Sequence, residues 1–134
     1  MIDVPASAEA DSNDSIVWVW TSFEGRISRS TYWLKYIFPY VVITFVLAFV
    51  EAFGGMKYSD GSGAEFGYLT MIWFFINIWF SLAVGAKRCH DRDRSGWFQA
   101  IALIPLIGGI WLLVELGFLK GTAGANRFGS DPVG

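Results

Sequence analysis

Three long apolar runs separated by short polar connectors dominate this chain, and each reads as a helix in a bilayer. The first extends from Thr31 to Gly55. Its uncharged heart, Tyr36 to Val50, is 15 residues long, short of the roughly 20 that a crossing needs. Lys35 and Glu51 restore the length if they snorkel from its two ends. Ser28 is placed to cap this helix, because its hydroxyl can accept from an unpaired backbone N–H. Ile27 and Tyr32 occupy the positions of a hydrophobic staple. Pro39 is expected to kink the helix without breaking it. The second run, Phe66 to Ala86, has 21 uncharged residues and ends on Lys87 and Arg88, which suit a helix C-terminus and a headgroup layer. The third, Trp97 to Leu119, is interrupted by Pro105, Gly108 and Gly109. It either crosses as one kinked helix or breaks at Pro105–Gly109 and re-enters, shielded from lipid by the other helices. The pattern predicts an all-α, polytopic helical membrane protein. Its single membrane domain covers 16–134, with segments at about 31–54, 66–87 and 97–119.

Outside the runs, residues 1–15 are polar and acidic and are expected to form a disordered tail. Ile16 to Phe23 is a short aromatic segment. It either lies at the headgroup level or folds as a flap onto the helices. Residues 54–65 read as a Gly- and Ser-rich loop, and Lys120 to Gly134 as a Gly-rich polar tail.

Composition sharpens this picture. Charged residues are only 16% of the chain and hydrophobic residues 54%, with a mean hydropathy of +0.43, against about 25% charged in soluble domains. The net charge of −2 implies no nucleic-acid partner. A single cysteine, Cys89, excludes an intrachain disulfide framework. No signal peptide is read, so the first hydrophobic helix is expected to act as an uncleaved insertion signal.

Charge also sets the expected orientation. With three crossings, Arg26, Arg29, Lys35, Lys87, Arg88, Arg92 and Arg94 share one side, against Lys57, Lys120 and Arg127 on the other. The positive-inside rule then places the N-terminus in the cytoplasm. Re-entry of the third segment makes the count nine against one. Length argues the other way: 23 helical residues reach about 34 Å against a core of about 30 Å, and a single crossing is the expectation on that ground.

Three stretches have a recognisable order and spacing around the apolar runs. They are Phe23-Glu24-Gly25-Arg26-Ile27-Ser28-Arg29 with Tyr32-Trp33, then Lys87 through Trp97, then Gly121 through Pro132. Together they resemble the YhaH-like bacterial inner-membrane proteins, catalogued as domain of unknown function 805, over about residues 22–132. The resemblance implies a bacterial inner (plasma) membrane location and an all-helical fold, with no established activity. It also implies Leu where Cys89 stands, which argues against a shared functional thiol, and often Pro where Ala123 and Ser130 stand.

The candidate chemistry is sparse. Arg26, Arg29, Arg88, Arg92, Arg94 and Arg127 form a candidate anionic-ligand site, since guanidinium forks bind phosphate bidentately. The competing and stronger reading pairs them with Glu24, Asp91 and Asp93 in an interfacial salt-bridge network. Cys89, His90 and Asp91 are consecutive, so they point to different sides of a helix and predict no metal site. His90 with Asp91 or Asp93 is a weak acid–base candidate, and no catalytic set or cofactor is read. Asn77, with Ser81 and Gly85 at helical spacing, is an intramembrane polar position. It suits helix packing better than a solute path. Glu115 either marks an intramembrane site or reaches the interface towards Lys120. Expected partners are membrane lipids, a second copy or another membrane protein. The leading expectation is a non-enzymatic module. A small transporter or channel subunit, or a lipid-headgroup enzyme, are the alternatives.

Overall fold

The computed structural model describes residues 15–63 and 65–133, with Phe66 described by its backbone alone. The expected tail over 1–15 therefore lies outside the described residues except for Ser15. Among the described residues four helices carry the fold: α1 (Ile16–Thr21), α2 (Arg29–Gly54), α3 (Tyr68–Asp91) and α4 (Ile107–Phe118). A 3-10 helix, Gly96–Leu103, lies between α3 and α4. Within 54–65, read as loop, strand β1 (Lys57–Ser59) pairs antiparallel with β2 (Glu65–Gly67), so α3 begins at Tyr68 rather than Phe66.

Helices α2 and α3 are long and apolar enough to cross a membrane. Their apolar side chains point outwards while charge points inwards. Phe45, Phe49 and Phe53 are exposed, whereas Lys87 and Arg88 are fully buried. This inverts the usual arrangement of a soluble domain. It fits a chain whose outer solvent is hydrocarbon.

The expected cap forms, and the helix continues through Pro39 without breaking. Ser28 Oγ accepts from Thr31 N (3.3 Å), and Ile27 and Tyr32 are buried. Ahead of Pro39, one turn widens into a π-helix over Trp33–Ile37. Pro39 has no N–H to give the Lys35 carbonyl, and its ring crowds that oxygen. The freed carbonyl accepts instead from the Trp20 indole at 2.7 Å. Helix α1 is thereby held as a flap: Val19 is fully buried, and the Trp20 ring meets Phe80 at 5.0 Å and Tyr36 at 5.6 Å.

Glu51 does not snorkel. Its carboxylate turns inwards and accepts from Thr70 N (2.9 Å) and Thr70 Oγ1 (2.5 Å). It thus caps the first turn of α3, whose own N-cap residue, Gly67, has no side chain to do so.

The third apolar run does not form the single continuous helix that its length suggested. The 3-10 helix ends at Leu103, Leu106 takes a left-handed φ of 64°, and α4 turns back. Pro105 removes a helix donor at the corner, and Gly108 lets the two arms touch. A Cβ on Gly108 would lie 1.8 Å from the Ile101 carbonyl oxygen. Helix α4 has 12 residues, about 18 Å at 1.5 Å per residue, too short to cross alone. Both ends of the third run meet the same end of α3, where Arg88 and Arg92 hold Leu119 and Lys120.

Candidate functional site

Two polar features are built where the helices meet: a buried charge cluster at the end of α3, and a cavity one to three turns deeper.

The last turns of α3 carry Lys87, Arg88 and Asp91 inwards. Asp91 receives Arg26 on one oxygen (Nη2–Oδ1, 3.0 Å) and Arg88 on the other (Nη1–Oδ2, 2.6 Å), with all three side chains nearly inaccessible. The remaining guanidinium N–H groups go to backbone carbonyls. Arg26 donates to Thr122 (2.6 Å), Gly124 (2.7 Å) and Gly129 (3.2 Å). Arg88 donates to Ile27 (3.0 Å), Leu116 (2.6 Å) and Leu119 (3.0 Å). Trp33 Nε1 donates to Gly117, Arg29 to Phe118 and Arg92 to Lys120. Five successive carbonyls, 116–120, thus accept from side chains of other elements. A helix C-terminus leaves its last carbonyls unpaired and carries partial negative charge. A collar of cations is the electrostatic complement.

The expected salt-bridge network forms with one exchange of partner. Glu115 takes the neutralising place given to Glu24: it accepts Arg92 (2.5 Å) and faces Arg94 (3.6 Å) and the Trp111 indole (3.4 Å). Glu24 makes no ion pair with a described residue. Glu115 therefore reaches the basic end of the bundle. Arg127 pairs with Asp93 at 3.2 Å, and both are largely solvent-facing. Lys87 donates to the Trp18 carbonyl (3.2 Å) and the Ser22 carbonyl, with its Nζ 4.9 Å from the Trp18 ring centre.

The 121–133 tail docks on this cluster. Phe128 stacks on His90 at 4.1 Å and 6°, and Asn126 donates to the His90 carbonyl. A Cβ on Gly121 would fall 1.9 Å from Asp91 Oδ2, so the tail backbone approaches the carboxylate as only glycine allows. Asp131 accepts from the backbone N–H of Val133 and Gly124, and these bonds lower its carboxyl pKa. His90 Nδ1 donates to the Gly25 carbonyl (3.0 Å) rather than to Asp91 or Asp93. Cys89 is buried.

The cavity, about 320 Å³, lies between α2, α3, the 3-10 helix and α4. Tyr36, Tyr40, Asn77, Ser81 and Gln99 supply its polar lining. Tyr36 OH donates to Asn77 Oδ1 at 3.2 Å, which ties α2 to α3. Gln99 Nε2 donates to the Leu82 and Gly96 carbonyls. A Cβ on Gly85 would lie 2.0 Å from Gln99 Oε1. The Asn77–Ser81–Gly85 stripe thus packs at both ends, while Asn77 and Ser81 also line the cavity. Sequence reading missed Tyr36, Tyr40 and Gln99. The spacing of four in Tyr32, Tyr36 and Tyr40 was the available signal, since it sets three hydroxyls on one helix face.

Outward apolar helices around an inward charged core define a helical membrane protein. A family model described as "Protein of unknown function (DUF805)" matches residues 20–130, and the chain belongs to that family. The chain is 38% identical over 117 residues to "Inner membrane protein YhaH" of Escherichia coli K12, covering 84% of this chain and 88% of that one. It is 29% identical over 119 residues to "Inner membrane protein YhaI" of the same organism, covering 88% and 92%. "Uncharacterized protein YiiR" is 27% identical over 136 residues, covering 82% and 85%. No solved structure matches. The relatives support a bacterial inner-membrane location.

Proposed function

We propose that this protein is a non-enzymatic inner-membrane module that packs through α2 against a second copy or another membrane protein. The observation that carries this reading is the isolation of α2: only 6% of its most apolar stretch is buried by its own chain. Ala48 and Ala52 are exposed four residues apart on it, and small residues at that spacing allow close helix approach. The buried charges support the same reading from the other side. Arg26, Arg88 and Asp91 are occupied with one another and with backbone, which suits a scaffold better than a catalytic centre.

Cysteine cross-linking in native membranes tests it. Cys89 is buried, so Ala48→Cys and Ala52→Cys should give a cross-linked dimer, or a cross-linked partner of defined mass, while Trp97→Cys should not. Monomer alone from every α2 position would end the proposal.

The proposed topology is two crossings by α2 and α3, with the third run re-entrant and both termini cytoplasmic. The shared attachment of residues 26–29, 87–94 and 116–129 to one cluster supports this. Reporters active only in the cytoplasm should work when fused to either end. An external C-terminus would refute re-entry.

The anionic-ligand reading has its best support at Arg29, Arg94 and Arg127, which lie on the exposed rim. There they are placed to meet anionic lipid headgroups, each worth about 1 kcal/mol near a charged leaflet.

A further inference from the structure

The cavity has features that interhelical packing leaves unexplained. Its lining has no carboxylate, ammonium or guanidinium group, although the buried ion cluster lies a few turns away. Its floor holds hydrogen-bonding groups without partners. Asn77 is 9% exposed and its oxygen accepts from Tyr36. Among the described residues its amide N–H groups find no acceptor, and neither does the Tyr40 hydroxyl. These groups are not sealed in protein but open onto the cavity that they line, so a hydrogen-bonding ligand there would satisfy them. The Tyr40 ring is fixed by stacking on Tyr36 at 6.1 Å and on Trp73 at 6.0 Å, so its hydroxyl is presented by a rigid platform. The lips are different: Leu82 and Ala102 line the cavity, are exposed, and belong to the apolar outer surface. The opening therefore faces hydrocarbon.

We propose that this cavity binds an uncharged membrane lipid by its carbonyl oxygens, which accept from Asn77 and Tyr40, while the tail leaves between Leu82 and Ala102. About 320 Å³ lies at the small end of ligand sites, roughly 300–1,000 Å³. It accommodates a carbonyl-bearing head and not a whole lipid. A charged headgroup is disfavoured, because a neutral, desolvated lining cannot compensate an ion. Two lipid types share the required chemistry: a quinone ring on an apolar tail, and the ester carbonyls of a diacylglycerol.

The test uses the full chain in mild detergent, with thermal unfolding followed as each probe is added. The probes are a short-tailed benzoquinone, dioctanoylglycerol and, as the charged comparison, phosphatidylglycerol. At least one neutral probe should raise the midpoint saturably. Ala102→Trp and Leu82→Trp, on the exposed lips, should weaken that probe by about tenfold or more while leaving the unliganded midpoint in place. Response to the quinone alone assigns a ring site, to dioctanoylglycerol alone an ester site, and to both a site that reads the carbonyl itself. The proposal is overturned if neither neutral probe acts up to about 1 mM, if both lip variants bind as wild type, or if phosphatidylglycerol binds as tightly as the neutral probes.

Discussion

Replacing Asp91 with Asn should destabilise the folded bundle by about 3–5 kcal/mol, the largest loss expected from any isosteric change in this chain. Asp91 is the single carboxylate between Arg26 and Arg88, at 3.0 and 2.6 Å. Without its charge, two guanidinium groups remain buried with only backbone dipoles to compensate them. The new amide would also turn N–H groups towards one of the two guanidinium donors. Arg26 carries the tail through Thr122, Gly124 and Gly129, so residues 121–133 should become sensitive to carboxypeptidase in the variant. Unfolding in denaturing detergent, followed by tryptophan fluorescence, gives the first readout, and mass spectrometry of the trimmed tail gives the second. Asp93→Asn is the matched control: its partner Arg127 is exposed, with 63% of its side chain accessible, and such pairs are worth about 0–1 kcal/mol. Equal effects at the two positions would show that the cluster is not the keystone described above.

The second large effect is expected at Gly108, and it should reverse sign one residue later. In Gly108→Ala, the new methyl would sit 1.8 Å from the Ile101 carbonyl oxygen and 2.8 Å from its carbon. These are backbone atoms, which no rotamer change moves aside. The arms of the hairpin must separate, at a cost of about 1–3 kcal/mol or more. The cavity between them should loosen as well, since Ala102 and Leu112 line it from the two arms. At Gly109 an added Cβ meets nothing within 4 Å. Ala there should stabilise α4 by about 0.5–1 kcal/mol, because Gly is the poorer helix former. Parallel unfolding curves for the two alanine variants decide the matter. Tolerance of Ala at Gly108 would mean that the hairpin is not held closed by backbone contact.

Much of this fold was legible along the chain. The helices near 31–54 and 66–87 follow from run length. The Ser28 cap follows from a hydroxyl ahead of an apolar run, and the disturbance at Pro39 from a missing N–H. These are local effects, determined by a residue and its neighbours within one or two turns. Other features were ambiguous for a physical reason. The third run is long enough to cross and also contains a Pro-Gly-Gly break. Choosing between those outcomes depends on whether another element can satisfy a helix end buried at the turn. Glu51 could not be placed from sequence either, because its partner Thr70 belongs to the next helix.

By itself, then, the sequence determined that this is a helical membrane protein of the DUF805 family, with α2 and α3 as its long apolar helices and basic residues gathered at one end. Length, apolarity and charge clustering are one-dimensional properties, and a bilayer reads them directly. Tertiary structure alone decided that the third run folds back, that Glu115 rather than Glu24 neutralises Arg92, and that three arginines and Trp33 close on the five carbonyls 116–120. It also decided that Tyr36, Asn77 and Gln99 enclose a neutral cavity. Each of these depends on groups far apart in the chain, such as Arg26 and Gly129, meeting within hydrogen-bond distance. A buried charge or carbonyl must be satisfied by whatever the packed helices bring to it, and residue order does not encode that partner.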